Sequence, residues 1–258
     1  MQSNKRLTND MAELLLKISS MLMTSGANTN RILMIINKFA ALMKVDAQVF
    51  INHKAFIISL KDMETGGMTT LVKRLPPHIV NFNTISALSK ASKKAENDGW
   101  DYEKIKQKIT KIEKLSFHSR WLTLFSVSIA GAGLCIVFGG DYISFGAVFI
   151  GTFLGLFTRQ FFHKKNFNAY LATFFGALVS SFITICILSF FPKVNPDIAL
   201  ATSVLFSVPG VPLLNAFTDF MDGYFITGLV RFIHGLLFVI SIAAALFVVM
   251  YLFKIQSI

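Results

Sequence analysis

Four ionisable residues, Asp219, Asp222, Arg231 and His234, stand in a stretch that is otherwise uncharged from Ile198 to Phe253. An Asp or Arg at the centre of a membrane helix costs about 2.5–3.5 kcal/mol on insertion scales, so such residues face a cavity or pair with one another. Arg231 and His234 are three positions apart and share a helix face. That arrangement suits Arg231 to bind a substrate carboxylate, with His234 or Asp219 carrying a coupling proton. The structural alternative is that Arg231 neutralises Asp219 or Asp222, or snorkels toward the headgroups.

Just before them runs Ser207-Val208-Pro209-Gly210-Val211-Pro212-Leu213-Leu214-Asn215. Pro209 and Pro212 remove backbone donors and forbid a continuous helix. In hydrocarbon the freed carbonyls need partners. The apolar span must therefore break near its middle, with Pro212 suited to the first turn of the second half. A half-helix N-terminus offers unpaired N–H groups and a positive dipole end to an anion. The candidate substrate-binding set is Pro209, Gly210, Pro212, Asn215, Asp219 and Arg231, with Asp219 and His234 as candidate proton-coupling groups. A ligand-free packing kink is the plainer reading of a single proline; Pro-Gly-x-Pro flanked by Thr202, Ser203, Ser207, Asn215 and Asp219 favours a site.

Other chemistry has little support in the sequence. There is no HExxH, no GxSxG, no phosphate-cradling glycine loop and no Cys or His cluster at metal-ligand spacing. Neither an enzyme, a cofactor nor a metal is expected. Cys135 and Cys186 both lie in apolar runs and read as small hydrophobes. His53, His78, His118 and His163 are isolated and read as surface or interface residues.

The elements that must position these residues fall into two parts. The 258-residue chain is 53% hydrophobic with 27 Phe, more apolar than a soluble domain. Its charge is uneven: 18 Lys/Arg against 10 Asp/Glu up to His118, then 7 against 4. The basic run from Lys90 to Lys114 reads as a solvated helix face, so no nucleic acid partner is required.

From Leu7 to Thr24 apolar residues recur at helical spacing, ending at Ser25-Gly26; a second helix runs from Thr29 to about Met43, capped by Asn28 or Thr29. Val45, Ala47, Val49 and Ile51 alternate with polar residues as a half-buried strand. Asn52-His53-Lys54 turns into a strand from Ala55 to Leu60, and Gly66-Gly67 into a third from Met68 to Leu75, ended by Pro76-Pro77. Helices follow over Thr84–Asn97 and Asp101–Ser116, split at Asn97-Asp98-Gly99.

Beyond Arg120 the uncharged runs 121–140, 142–158, 166–192 and 198–218 have lengths of 20, 17, 27 and 21 residues, against the roughly 20 that a spanning helix needs. The last apolar stretch makes a fifth span. The expected fold is a membrane α-helical bundle of five spans (121–140, 142–158, 168–191, 198–217 and 224–253) with a broken fourth helix. A small soluble α+β domain over 1–118 precedes the membrane domain over 119–258. Gly151, Gly155 and Gly146 form a small-residue face on span two, and Gly131 with Gly133 offers another on span one. Lys/Arg flank the start of span one, and Arg159, Lys164 and Lys165 follow span two, so the N-terminal domain should be cytoplasmic and the C-terminus outside.

Taken together, the Gly26-Ala27-Asn28-Thr29-Asn30-Arg31-Ile32 junction, the five spans, and Pro209-Gly210-Val211-Pro212-Leu213 leading to Asn215, Asp219 and Arg231 resemble the threonine/serine exporter (ThrE) family over nearly the whole chain. The resemblance implies proton-driven export of threonine or serine, or in a related branch of a dicarboxylate such as succinate, across the bacterial cytoplasmic membrane. Some members carry both halves of the transporter on one chain. This chain is similar to the larger subunit of the split type, which implies a second small membrane subunit as partner, beside the lipid bilayer and a homo-oligomer as a candidate assembly. A membrane-anchored binding or regulatory module is the alternative of another class, although five spans with an internal break exceed what anchoring needs.

Overall fold

The computed structural model describes residues 2–52, 55–63, 66–75, 80–114 and 119–254. Its elements are α1 (Gln2–Thr24), α2 (Thr29–Leu42), β1 (Val45–Asn52), β2 (Ala55–Asp62), β3 (Met68–Arg74), α3 (Phe82–Asp98), α4 (Tyr102–Glu113), α5 (Arg120–Val137), α6 (Tyr142–Lys164), α7 (Ala169–Leu188), α8 (Pro196–Ser203), a 3-10 turn (Leu205–Ser207), α9 (Gly210–Met221) and α10 (Phe225–Leu252). They form two compact units: one of Met1–Phe117 with Val211–Ile233, the other of His118–Gly210 with His234–Ile258.

In the first unit β1, β2 and β3 form an antiparallel sheet in chain order, with Val49 opposite Ile58 and Ile58 opposite Leu71. The alternation expected of β1 is present: Val45 and Ile51 are buried, Asp46 and Gln48 exposed. The buried face carries Phe56, Ile58 and Leu60 into a core shared with Leu15, Ile18 and Leu22 of α1, Ile32, Ile36 and Phe39 of α2, Leu88 of α3, and Ile105 and Ile109 of α4. The outer face is not uniformly polar. Phe50 pairs with Ile57, which pairs with Val72, and Phe50 and Val72 are exposed.

Asn28 caps α2 by accepting from Arg31 N, and Asp101 caps α4 by accepting from Lys104 N. Gly99 ends α3 at φ 58°, the left-handed conformation that glycine adopts without penalty. The turn at His53-Lys54, the stop at Pro76-Pro77, the Leu115-Ser116 end of the fourth helix, and His78 and His118 lie outside the described residues. The lysines from Lys90 to Lys114 are exposed, as a solvated face requires.

Among the described residues four helices are long and apolar enough to cross a membrane, α5, α6, α7 and α10, and the broken pair α8–α9 makes up to five. In the second unit α6 and α7 pack through glycine. A Cβ on Gly155 would lie 2.5 Å from the Gly176 carbonyl oxygen and 2.5 Å from Ser180 Cβ. One on Gly151 would run into Thr184 Oγ1 and lie 2.7 Å from Ser180 O. Lipid is as apolar as leucine, so close backbone approach supplies the packing that the hydrophobic effect does not. Gly131 meets Thr152 of α6 in the same way, at 3.2 Å.

Gly133 and Gly146 do not belong to these faces. A side chain at either would meet nothing within 4 Å, because both point away from the neighbouring helix. Span two also extends six residues past its expected end at 158, so α6 carries Arg159 inside the helix. Ala177, Val204, Ile242 and Ala245 join α7, the end of α8 and α10 in one buried cluster. Trp121, Phe125, Ile129 and Phe247 are exposed, as lipid-facing residues would be.

Candidate functional site

The first unit gathers one polar site where α1 hands over to α2. Gly26, at φ 91°, ends α1 in a double cap: Ala27 N–H donates to Leu22 O and Gly26 N–H to Met23 O. The reversal leaves the Gly26 and Ala27 carbonyls and the first N–H groups of α2 without helical partners. Both carbonyls and the Thr29 N–H are met by side chains from α9 or α10. Asn215 Nδ2 donates to Gly26 O at 2.7 Å, and Arg231 Nη2 donates to Ala27 O at 3.1 Å. Thr29 donates its N–H to Asp219 Oδ1 at 3.0 Å and its hydroxyl to Asp219 Oδ2 at 3.1 Å.

Asp219 is fully buried and Arg231 is 7% exposed. Arg231 Nη1 lies 3.1 Å from Asp219 Oδ2, an ion-pair contact rather than a directed hydrogen bond. Arg231 Nη2 also reaches Met23 Sδ. A carboxylate on the first N–H of α2 faces the positive end of that helix, which adds to the attraction of Arg231.

Local backbone chemistry sets this geometry. Gly223, at φ 84°, closes α9 with the same double cap, Tyr224 N–H to Asp219 O and Gly223 N–H to Phe220 O. The chain thus turns directly from α9 into α10. Gly228 lets α10 approach α9, since a Cβ there would lie 2.9 Å from Phe220 Cδ1 and 3.0 Å from Ala216 O. Phe217 and Phe232 meet edge to face at 6.2 Å between centroids.

The second unit holds the break. α8 ends at Ser203, the 3-10 turn at Ser207, and Val208 is extended at φ −62°, ψ 127°. The carbonyls freed there are met from neighbouring helices. Thr152 Oγ1 and Ser180 Oγ donate to Ser203 O at 3.1 and 2.7 Å, and Arg159 Nη1 donates to Phe206 O at 3.4 Å. His234 Nδ1 shares a short hydrogen bond with Tyr170 Oη, and the two rings stack.

A family model described as "Putative threonine/serine exporter", ThrE, matches residues 13–253. The chain belongs to the ThrE family. Membership places it among membrane transport proteins. Two relatives, from Klebsiella aerogenes and Escherichia coli K12, are each named "Probable succinate transporter subunit YjjP". Each is 26% identical, over 176 and 177 residues respectively, covering 67% of this chain and 67% and 68% of their own lengths. No solved structure matches.

The residues singled out in this ThrE chain do not form one cluster. Asn215, Asp219 and Arg231 come together on the Gly26–Thr29 junction. Pro209 and Gly210 mark the start of α9, with Pro212 in its first turn as expected. His234 belongs with Tyr170. Sequence reasoning missed Thr29, whose two donors hold Asp219, and Arg159, read only as a topology flank. Thr29 carried a signal all the same, as the first residue of a helix preceded by a capping Asn.

Proposed function

We propose that this ThrE chain is one subunit of a secondary transporter that exports a small carboxylate from the bacterial cytoplasm, and that a second small membrane subunit completes the pathway. The observation that carries the reading is the interrupted span, α8, the 3-10 turn and α9, in a membrane chain whose family is described as exporters. An uninterrupted helix would satisfy its own backbone and leave no backbone donor for a solute.

In this reading the substrate carboxylate competes with Asp219 for Arg231. Asp219 is the candidate proton-coupling group of this exchange, with His234, hydrogen-bonded to Tyr170, as the second candidate. Residues 1–118 are cytoplasmic and 119–258 carry five spans, in keeping with the basic residues Lys108, Lys111, Lys114, Arg120, Lys164 and Lys165 around the first two spans. Cysteines placed at Asp141 and Asn195 should react with an impermeant maleimide from outside intact cells, and one at Glu103 should not. The reverse labelling pattern would overturn this orientation.

On substrate, the name of the two relatives favours a dicarboxylate of the succinate type. The family description favours threonine or serine. Cells preloaded with labelled succinate or threonine separate the two. Replacing Pro209, Gly210 and Pro212 together by alanine should reduce export of the true substrate at least about tenfold at equal expression, since healing the helix removes about 1.4 kcal/mol or more of binding. Unchanged flux of both solutes would sink the proposal.

A further inference from the structure

Buried hydroxyls of the second unit donate to carbonyls, on their own helix or, for Thr152 and Ser180, across to Ser203 O, but two of them have no partner. Ser128, Ser181, Thr184 and Ser203 each donate to a carbonyl three or four residues back on their own helix, the usual refuge of Ser and Thr in hydrocarbon. Ser207 Oγ and Thr173 Oγ1 have no partner, although Ser207 is 2% exposed and Thr173 fully buried. Buried polar groups are almost always hydrogen-bonded, so two such hydroxyls require an explanation.

Both lie on elements that pack against α6, the helix that carries Arg159. Ser207 is the residue after Phe206, whose carbonyl takes the single 3.4 Å hydrogen bond from Arg159. Gly176 lets α7 pass against Arg159, since a Cβ there would lie 2.9 Å from Arg159 Cβ. Thr173 is three residues before Gly176 on the same helical face, and α7 contacts the 3-10 turn. Arg159 carries five N–H donors, and among the described residues no carboxylate pairs with it. An arginine inside a membrane helix is expected to pair or to line a solute path.

We propose that Arg159, Ser207 and Thr173 form a binding site for a carboxylate group of the transported solute, at the end of the 3-10 turn. This rests on the transporter reading above. The planar guanidinium accepts a carboxylate through two parallel hydrogen bonds, and the two hydroxyls supply further donors. The centre holds a cation and no acid of its own among the described residues, so it favours an anion and offers an ammonium group only neutral acceptors, the Phe206 carbonyl and the two hydroxyl oxygens. A carboxylate of a dicarboxylate therefore fits it better than the zwitterionic head of an amino acid.

The test is binding of labelled succinate and, separately, labelled threonine to the purified full-length chain in lipid nanodiscs, read beside export from cells. Arg159→Gln should weaken succinate binding at least about tenfold, and Arg159→Lys should restore part of it. Ser207→Ala and Thr173→Val should each weaken it about threefold or more, with elution as a single monodisperse species showing that the fold is intact. Wild-type binding of neither solute at millimolar concentration, or Arg159→Gln binding both as wild type does, overturns the site. Threonine bound more tightly than succinate, with the same dependence on Arg159, keeps the carboxylate site and overturns the dicarboxylate preference. Arg159-dependent binding without any export supports the site and counts against the transport reading, whereas export unaffected by Arg159→Gln leaves that reading standing and removes the site.

Discussion

Asp219→Ala is expected to loosen the attachment of α9 and α10 to the α1–α2 junction and to abolish export. The substitution removes the acceptor of both Thr29 donors and leaves the Arg231 guanidinium, 7% exposed, without its counter-charge. Removing one partner of a buried ion pair costs about 3–5 kcal/mol, most of it the penalty of the stranded charge. Domains have about 5–15 kcal/mol of total stability, so the effect should be visible as a clear fall in melting temperature of the purified full chain. Faster proteolysis at the Ser25–Thr29 turn should accompany it. Asp219→Ala combined with Arg231→Met should recover more than half of the lost stability, because it removes the stranded charge, while export stays absent. Wild-type melting of the single variant would mean that the pair is not buried as described.

Gly155→Val carries the second large effect. Its Cβ would be placed 2.5 Å from the Gly176 carbonyl oxygen and 2.5 Å from Ser180 Cβ, and neither backbone nor Cβ can swing aside as a long side chain would. Overpacking commonly costs about 1–3 kcal/mol, and a collision with backbone belongs at the upper end or beyond. The variant should therefore fail to yield monodisperse protein. Gly146→Val on the same helix is the control, since a side chain there meets nothing within 4 Å. Equal yields of the two variants would refute the glycine contact between α6 and α7.

Both effects arise from features that the sequence disclosed unequally. The small-residue pattern on span two was legible, yet only packing separates Gly151 and Gly155 from Gly146. Spacing names a face of a helix but not the face that meets a neighbour. Charge counting ended span two at 158 because Arg159 interrupts the uncharged run. The helix continues to Lys164, because an arginine whose donors reach a carbonyl in the adjacent broken span need not end a membrane helix.

The N-terminal order of two helices, three strands and two helices could be read from periodicity, caps and glycine stops, all of which act within a few residues of the position they decide. The interruption at Pro209 was likewise fixed locally, since proline lacks the donor that a helix needs wherever it is placed. Asp219 and Arg231 were identifiable as residues needing partners, because hydrocarbon penalises charge at any site within it. Which partners they find was decided by tertiary structure alone. Thr29 lies 190 positions from Asp219, and Ala27 lies 204 from Arg231, so no spacing rule links them. The link comes from backbone groups orphaned at a helix reversal, and those become visible as acceptors and donors only once α9 and α10 are folded against them.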